Sequence, residues 1–350
     1  MKKDLRSLNL EDMEQLTSVL KLPSFRAKQI FSWVHNKQVE ELAHMNNLGR
    51  DILDRLGPRV EIANLRLSKE RVARDGTVKY LFGLRDDQYI ECVLMKYRGT
   101  ESKKRNTLCI SSQVGCAMGC GFCATGRGGL QRNLTTGEIL SQVYTVNNIL
   151  RQKGEGYKVG NVVFMGMGEP LHNFNNVLQS IGLLNHPKGQ NISMRRIAVS
   201  TCGIVPKIIE LAKKKLDIVL AISLHAPTDE LRSQIMPVNG QYPLEMLKKA
   251  CLLYIEMTNR RISFEYALIN NFNDQRIHAV KLAEYLAGML CHVNLIPVNP
   301  VNDDFSRPNK NKIQEFLKVL RDHGIQASIR EEKGTDIEAA CGQLRGKVVE

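Results

Sequence analysis

Three cysteines lie close together in a C-x3-C-x2-C pattern: Cys116, Cys120 and Cys123. Glycines lie between them, so their thiolates can converge on one centre. Structural zinc sites usually take four protein ligands, whereas three thiolates suit a [4Fe–4S] cluster that keeps one iron open. The pattern therefore favours an iron–sulfur cluster; a catalytic zinc ion and unliganded structural thiols are the alternatives.

An iron atom with an open position predicts a second cofactor. It can chelate the amino and carboxylate groups of S-adenosylmethionine (SAM), and electron transfer into the sulfonium then cleaves a C–S bond and releases a 5′-deoxyadenosyl radical. We therefore expect a [4Fe–4S] cluster and SAM as cofactors.

Polar residues follow several predicted strands at the point where each strand ends. The segment GMGEP (166–170) follows one of them; its glycines allow a ligand to approach the backbone, and Glu169 can accept hydrogen bonds from the SAM ammonium group. Taken alone, this segment is more typical of an ordinary turn. Polar groups also lie at the ends of other predicted strands, at the same edge of the predicted sheet. They belong to Ser200, to Ser223, Leu224 and His225, and to Asn299.

The chain has nine cysteines, an odd number that is a poor basis for a disulfide framework. Cys109 precedes the cysteine motif by seven residues, and Cys341 lies in a C-terminal tail that could fold over the site. Taken alone, Cys341 is more often a small buried apolar residue. The remaining four are expected to be structural thiols: Cys92, Cys202, Cys251 and Cys291.

The spacing of apolar residues predicts the elements that must position these groups. Residues 1–58 carry helical periodicity, with Ser24 as a predicted N-cap and Gly57 and Pro58 as a stop. Two strand-like segments (77–84 and 89–95) flank a turn at 85–88. From about residue 102, six apolar strands alternate with helices, and a further helix and strand follow.

This alternation indicates an α/β fold with parallel strands and right-handed crossovers, a partial (βα)6 barrel. A small helical module precedes it, with a short β extension between them. In such folds the site lies at the carboxyl ends of the strands, where the polar residues above are found.

The charge balance indicates a polyanionic partner. Forty-nine basic and 36 acidic residues give a formal net charge of +13. The stretch 96–134 has seven basic residues against Glu101 alone; an ordinary solvated face is the alternative. Candidate phosphate contacts are Lys103, Lys104, Arg105, Arg127, Arg132, Arg195, Arg196, Arg260 and Arg261. No apolar run is long enough to span a membrane, and the N-terminus lacks a secretory signal, so we expect a cytoplasmic protein.

Six motifs together resemble the radical SAM superfamily, and within it the RlmN/Cfr family of RNA methyltransferases. They are CISSQVGCAMGCGFCATG, FMGMGEP, STCGIVP, ISLHAP, NLIPVNP and DIEAACGQLRG. The resemblance spans nearly the whole chain and is greater to the RlmN branch. It implies methylation of C2 of adenosine 2503 in 23S ribosomal RNA, before full ribosome assembly, and of adenosine 37 in tRNAs. A flavodoxin-type protein is the implied electron donor.

The resemblance also implies residue roles. Cys116, Cys120 and Cys123 would bind the cluster, and the SAM pocket would comprise Gly168, Glu169, Ser200, Ser223, Leu224, His225 and Asn299. One SAM molecule would methylate Cys341, and a second would yield the radical that activates this S-methyl group for addition to adenine. Glu91 would then remove the proton from the ring carbon, and Cys109 would attack the Cys341 sulfur, forming a disulfide and releasing the product.

Four segments are expected: a helical RNA-positioning domain (1–60), a small β extension (61–101), a radical SAM core (102–334) and a tail that carries Cys341 (335–350). The alternatives are methylation at C8 of the same rRNA adenosine, as in the Cfr branch, a non-catalytic iron–sulfur RNA-binding protein, and a radical enzyme acting on protein or a small metabolite.

Overall fold

The N-terminal part of the chain is a small helical module. The computed structural model describes residues 2–98, 105–299 and 305–346. The module contains β1 (Lys3–Asp4), α1 (Leu10–Val19), α2 (Phe25–Phe31), α3 (Arg50–Leu56) and β2 (Val60–Glu61). At the start of α1, the side chains of Asn9 and Asp12 each accept the other's backbone N–H, which satisfies two otherwise unpaired donors.

The predicted N-cap at Ser24 is wrong. Its backbone is already helical and its side chain makes no capping hydrogen bond. An N-cap side chain reaches the following N–H groups only from an extended backbone, so Ser24 cannot fill this role. The predicted stop is confirmed, because α3 ends at Leu56 and Gly57 follows it.

A buried arginine joins this module to the rest of the chain. The Arg6 side chain is fully buried and donates to the Ala63 carbonyl at 2.6 Å and to the Ser141 hydroxyl at 2.8 Å. A third bond, to the Val39 carbonyl, spans 3.2 Å. These hydrogen bonds connect three segments that are remote in sequence.

Three antiparallel strands follow the module: β3 (Arg66–Val72), β4 (Val78–Gly83) and β5 (Tyr89–Tyr97). The predicted turn at 85–88 connects β4 and β5. The strand β5 pairs in turn with β6 (Arg105–Cys109), the first strand of the core, and Val93 lies opposite Cys109. The β extension is therefore continuous with the core sheet.

The core confirms the predicted α/β fold and its strand–helix alternation. After β6 come β7 (Gln113–Gly115), α4 (Ala124–Arg127), β8 (Leu130–Asn133), α5 (Thr136–Gln152), β9 (Val159–Phe164), α6 (Phe174–Asn185), β10 (Ile197–Thr201), α7 (Val205–Lys213), β11 (Val219–Ser223), α8 (Asp229–Ile235), α9 (Leu244–Thr258), β12 (Ile262–Leu268), α10 (Arg276–Leu286), β13 (Cys291–Pro297), α11 (Lys310–Asp322) and β14 (Ala327–Ile329).

The strands β7 and β8 pair only with each other, and the other core strands join β3–β5 in one ten-stranded sheet in the order β14-β13-β12-β11-β10-β9-β6-β5-β4-β3. Seven neighbouring strands, from β6 to β14 in that order, are parallel. Six strand–helix units precede β14, as in a partial barrel. The carboxyl ends of the parallel strands share one edge.

Apolar strands packed against amphipathic helices make the core. Val162, Leu220 and Phe264, on three different strands, are fully buried. Replacing a buried phenylalanine such as Phe264 by alanine typically costs about 3–5 kcal/mol, so this packing holds the strand ends in place. Within the ranges that the structure describes, no helix has the length and apolar character needed to cross a membrane.

Candidate functional site

The cysteine motif lies on a loop whose two ends are held together. The strand β7 enters the loop and β8 leaves it, and the two pair antiparallel. At their junction Gly115 has a φ of 74°, and a Cβ atom there would lie 1.9 Å from the carbonyl oxygen of Gly129. Only glycine permits this close approach, so it keeps the loop compact.

The three cysteines of the motif line one cavity. Cys116 and Cys120 are each 9% exposed, and Cys123 is half-buried at the start of α4. We call this space of about 960 Å³ the first cavity. Burial raises the pKa of Cys116 to about 12 and raises that of Cys120 as well. Metal binding at these thiols would therefore release protons.

These thiols fit a cluster better than a single metal ion. Among the described residues, no three His, Cys, Asp or Glu side chains converge closely enough to hold one ion. In a [4Fe–4S] cluster each thiolate binds a different iron atom, so the ligands stay further apart. The donor set is also all thiolate, as such clusters require.

Glu169 lies in the wall of the first cavity beside the motif. It is 3% exposed, and its two carboxylate oxygens accept the backbone N–H groups of Leu171 at 2.9 Å and Cys202 at 2.8 Å. Burial raises the pKa of Glu169 above its usual value, and these two hydrogen bonds partly oppose that shift. They orient the carboxylate and leave it capacity to accept a further donor from the cavity.

The structure brings most of the predicted rim residues to the first cavity. Those that line it are Gly168, Glu169, Ser200, Ser223, His225 and Asn299. Gly168 has a φ of 101°, and a Cβ atom there would lie 2.6 Å from the side chain of Gln113. Leu224 differs from the others: its side chain is fully buried in the apolar core and does not line the cavity.

His225 is a neutral hydrogen-bonding residue in this wall. Burial, with a smaller contribution from the nearby Arg232 charge, lowers its pKa to about 3. The N–H of Ala267 donates to its Nδ1 atom at 2.9 Å, which leaves Nε2 as the donor. The side chain can therefore donate one hydrogen bond but carries no charge at neutral pH.

A second cavity, of about 1070 Å³, adjoins the first and contains both outlying thiols. Cys109 lines only this cavity, whereas Cys341 lines both. Cys341 is exposed, so its interpretation as a small buried apolar residue is wrong. The tail is docked beside the motif, because Ala124 N–H donates to the Gly342 carbonyl at 2.7 Å and the Thr125 hydroxyl donates to the Leu344 carbonyl at 2.6 Å.

Arg330 lies in the wall between the two cavities and influences both thiols. Burial and, to a smaller extent, the Cys341 thiol raise the pKa of Cys109 to about 12, against the lowering effect of the Arg330 guanidinium. In turn, a charged Cys341 raises the pKa of Arg330. Arg330 also lies 3.4 Å from the Glu265 carboxylate. It is thus a fixed cation beside two thiols that would react as thiolates.

Glu91 lies outside both of these cavities. It lines a third cavity, of about 410 Å³, where Lys79 Nζ lies 3.3 Å from its Oε1 atom. Its Oε2 atom accepts the backbone N–H groups of Arg345 and Gly346 in the tail. Val93 lines the second cavity and lies two residues further along β5, so Glu91 is about 7 Å along the strand from it.

Sequence reasoning missed several residues of the site. Arg330 and Glu265 line the first cavity, and Arg232 lies behind its wall. Cys202, predicted to be structural, also lines this cavity. The sequence did contain a signal for Glu265 and Arg330, because each is a charged residue within or directly after an apolar strand. The other expected structural thiols, Cys92, Cys251 and Cys291, are buried.

The basic stretch 96–134 is less positive than its sequence implies. Lys96 and Arg98 both pair with Glu155, and Arg132 pairs with Asp86 and Glu138. Lys103 and Lys104 lie outside the described residues. The net charge of residues 96–134 counted from the sequence therefore overstates the positive surface charge, because the acidic partners come from other segments.

Two of the predicted basic pairs lie at the end of the core opposite the cavities. Arg195 and Arg196 directly precede β10, and Arg260 and Arg261 directly precede β12. They therefore lie at the amino edge of the sheet, opposite the cavities. Basic side chains that the sequence reasoning did not select surround the third cavity and line the second: Lys69, Arg71, Lys79, Arg345 and Lys333.

Two family models match the chain. The model of the radical SAM superfamily matches residues 110–283, which include the cysteine motif and four of the strand ends described above. The model of the ribosomal RNA large subunit methyltransferase N-terminal domain matches residues 3–62, the helical module.

Relatives match along the full length. A probable dual-specificity RNA methyltransferase RlmN of Desulfitobacterium hafniense is 47% identical over 98% of this chain and 96% of its own. One of Alkaliphilus metalliredigens is 46% identical over 100% of this chain and 97% of its own. The crystal structure of a radical SAM methyltransferase from Sphaerobacter thermophilus superposes with a TM-score of 0.93 and 43% identity, covering 99% of this chain and 100% of that one. The chain therefore belongs to the RlmN family of radical SAM RNA methyltransferases, which use a [4Fe–4S] cluster and SAM.

Proposed function

We propose that this enzyme methylates C2 of adenosine 2503 in 23S rRNA and C2 of adenosine 37 in tRNAs, through a methylated Cys341 and with two SAM molecules per turnover. The observation that carries this proposal is the position of Cys341 where the two cavities adjoin. A thiol there can react with a cofactor on one side and with a nucleotide on the other.

The first cavity is the proposed cofactor site. Cys116, Cys120 and Cys123 would hold the cluster, which supplies the reductive cleavage of SAM to a hydrogen-abstracting radical. Glu169 would accept the SAM ammonium group with the lone pairs that its two backbone hydrogen bonds leave free. The hydroxyls of Ser200 and Ser223, which lie 3.3 Å apart, and the side chains of His225 and Asn299 would orient the rest of the molecule.

Leu224 has a different proposed contribution. Its side chain lies in the core, so only its backbone is available to the pocket. The Leu224 N–H donates to the Glu265 carbonyl and its own carbonyl accepts from Arg232, which holds the turn after β11 in place. Leu224 would therefore position its neighbours Ser223 and His225.

The second cavity is the proposed nucleotide site. Cys341 would accept a methyl group by displacement at the SAM sulfonium, and its methylene carbon would later bond to the adenine ring. Cys109 would then attack the Cys341 sulfur as a thiolate. The S–S bond forms as the S–C bond breaks, and the electron pair of that bond takes up a proton to complete the methyl group of the departing nucleotide. The unpaired electron that radical addition leaves on the adduct would return to the electron-transfer chain that supplied it. An external reductant, of flavodoxin type by family resemblance, would restore both thiols.

Glu91 is the proposed base that removes the proton from the ring carbon. With the tail docked, its carboxylate is occupied by Lys79 and by the N–H groups of Arg345 and Gly346. Its role as a base therefore requires residues 345–346 to move away, which would open the third cavity towards the second.

The chain is proposed to divide as the sequence indicates: an RNA-positioning module (1–60), a β extension (61–101), a catalytic core (102–334) and a tail (335–350). Lys79 is buried and paired with Glu91, so Lys69, Arg71 and Arg345 are the basic residues around the third cavity that would bind RNA phosphates. The enzyme would act on RNA in the cytoplasm and before ribosome assembly is complete. At that stage an unstacked adenine can still enter the site.

Analysis of the modified nucleosides tests the proposal. A strain without this gene should lack 2-methyladenosine at both RNA positions, and the wild-type gene should restore it where a Cys341→Ala gene does not. Mass spectrometry with synthetic standards separates the C2 product from the C8 product. Methylation at C8, or no RNA change on deletion, would overturn the proposed assignment.

A further inference from the structure

Arg232, on α8, is a buried arginine whose hydrogen bonds all go to neutral groups. It is 0% exposed. Its guanidinium donates to the Leu224 carbonyl at 3.1 Å and to the Asn239 side-chain oxygen at 2.9 Å. It also donates to the carbonyls of Cys202 at 2.5 Å and Ser223 at 3.3 Å. In the part of the chain that the structure describes, no carboxylate forms an ion pair with it.

The electrostatic neighbours of this charge include thiols as well as a carboxylate. Burial lowers the pKa of Arg232, and the groups that raise it are, in order, Cys202, Tyr285, Cys120 and Asp229. A buried charge without a partner of opposite charge destabilises the folded protein. Such a cation is explained if a negative charge binds nearby in the working enzyme.

The position of Arg232 shows where that negative charge would bind. Its helix ends at the cysteine motif, because the Gly121 N–H donates to the Ile235 carbonyl at 3.0 Å. Its guanidinium binds the carbonyl of Cys202, whose N–H binds the Glu169 carboxylate on the opposite side. The cation thus lies between the motif and the ends of β10 and β11.

We propose that Arg232 supplies a positive charge that balances the negative charge of the bound cluster. Its hydrogen bonds to backbone carbonyls would also fix the ends of β10 and β11 next to the cluster. This rests on the proposed ligands Cys116, Cys120 and Cys123. Three thiolates bring more negative charge than an oxidised cluster core neutralises, and reduction by one electron adds another. A fixed cation favours the reduced form, because net charge around a cluster sets its reduction potential.

Two substitutions at this position separate charge from hydrogen bonding. Arg232→Lys keeps the positive charge but loses the planar fork of donors, whereas Arg232→Gln loses the charge but keeps two donors. We expect the midpoint potential of the reconstituted holoenzyme, measured by a redox titration followed by electron paramagnetic resonance, to fall in Arg232→Gln and to stay near the wild-type value in Arg232→Lys.

A third variant leaves Arg232 untouched. Asn239→Asp is isosteric and places a carboxylate against the guanidinium, where the amide oxygen now lies at 2.9 Å. It should lower the midpoint potential as Arg232→Gln does. The variant also loses the donation from the Asn239 amide to the Asp229 carbonyl at 3.2 Å, so the melting temperature of the protein without cluster is measured as a check on folding. Asn185→Asp is the matched control, since it adds the same charge at the far end of α6 and should leave the potential unchanged.

Thermal melting provides a second readout. Cluster loading should raise the melting temperature more in the wild-type protein than in Asn239→Asp, because only the wild type has an unpaired cation to neutralise. Equal potentials in wild type, Arg232→Gln and Asn239→Asp would overturn the proposal and leave Arg232 as a structural hydrogen-bond donor. If the wild-type protein itself binds no cluster, the ligand assignment fails instead, so the two failures are distinguishable.

Discussion

The carboxylate of Glu91 accepts the backbone N–H of Arg345 at 2.6 Å, four residues beyond Cys341. The proposed base and the proposed methyl-accepting thiol are therefore linked through the tail. While the tail is docked, Glu91 is buried and its carboxylate already interacts with the N–H groups of Arg345 and Gly346 and with Lys79, which leaves little capacity for a further donor. Release of residues 345–346 would free the carboxylate, so tail movement and proton removal would be coupled.

Replacing Glu91 by glutamine should separate the two half-reactions. The amide cannot accept the ring proton, so RNA product formation should fall by about 10²–10⁴-fold while methylation of Cys341 continues. Mass spectrometry of the protein and of the RNA measures the two steps. Glu338→Gln is the control, because it makes the same chemical change in the same cavity and should retain activity. Wild-type product formation by Glu91→Gln would exclude Glu91 as the base.

The two outlying cysteines should give different phenotypes, because their proposed roles are sequential. Cys109→Ala should accept the methyl group, form the RNA adduct and lack the thiolate that resolves it, so a protein–RNA species should accumulate on a denaturing gel. Cys341→Ala and the double variant should show no such band. If Cys109→Ala also shows none, Cys109 is not the resolving thiol.

Arg330 should control the pH dependence of adduct resolution. The Cys109 thiol has a pKa of about 12, raised by burial and lowered by Arg330. Below that pKa the thiolate fraction, and so the rate, should rise about tenfold per pH unit. Because Arg330→Gln removes the lowering charge, its profile should shift to higher pH, whereas Arg330→Lys should shift less.

This experiment needs a check on folding, since Arg330→Gln also leaves the buried Glu265 carboxylate without its cation. Melting temperatures of the two variants provide that check. Rates are compared at one temperature well below both melting points. Superimposable pH profiles for the wild type and both variants would show that Arg330 does not act on the thiols.

Salt dependence should locate the RNA-binding surface. The double variant Arg71→Ala/Arg345→Ala removes two basic side chains beside the third cavity. The slope of log affinity against log salt should flatten by up to about 1.8. Arg195→Ala/Arg196→Ala, at the amino edge of the sheet, is the matched control and should leave the slope unchanged. The reverse result would place the RNA on the opposite face.

Local patterns in the sequence were enough to predict the type and order of the core elements. Apolar runs such as residues 262–269 and the helical spacing in 135–152 are local signals, and both segments adopt the expected structure as β12 and α5. The ligand set Cys116, Cys120 and Cys123 is equally local, because all three residues lie on one short loop.

Which distant groups meet depends on how the folded elements pack. Cys109 and Cys341 share a cavity because the tail docks on the cysteine loop. Glu155 neutralises Lys96 and Arg98 because it lies just before β9, and only β6 separates β9 from β5 in the sheet. Arg232 has no sequence signal, since a helical arginine is usually solvated. Burial and long-range electrostatics depend on how whole elements pack, and the local pattern of residues contains no information on that packing.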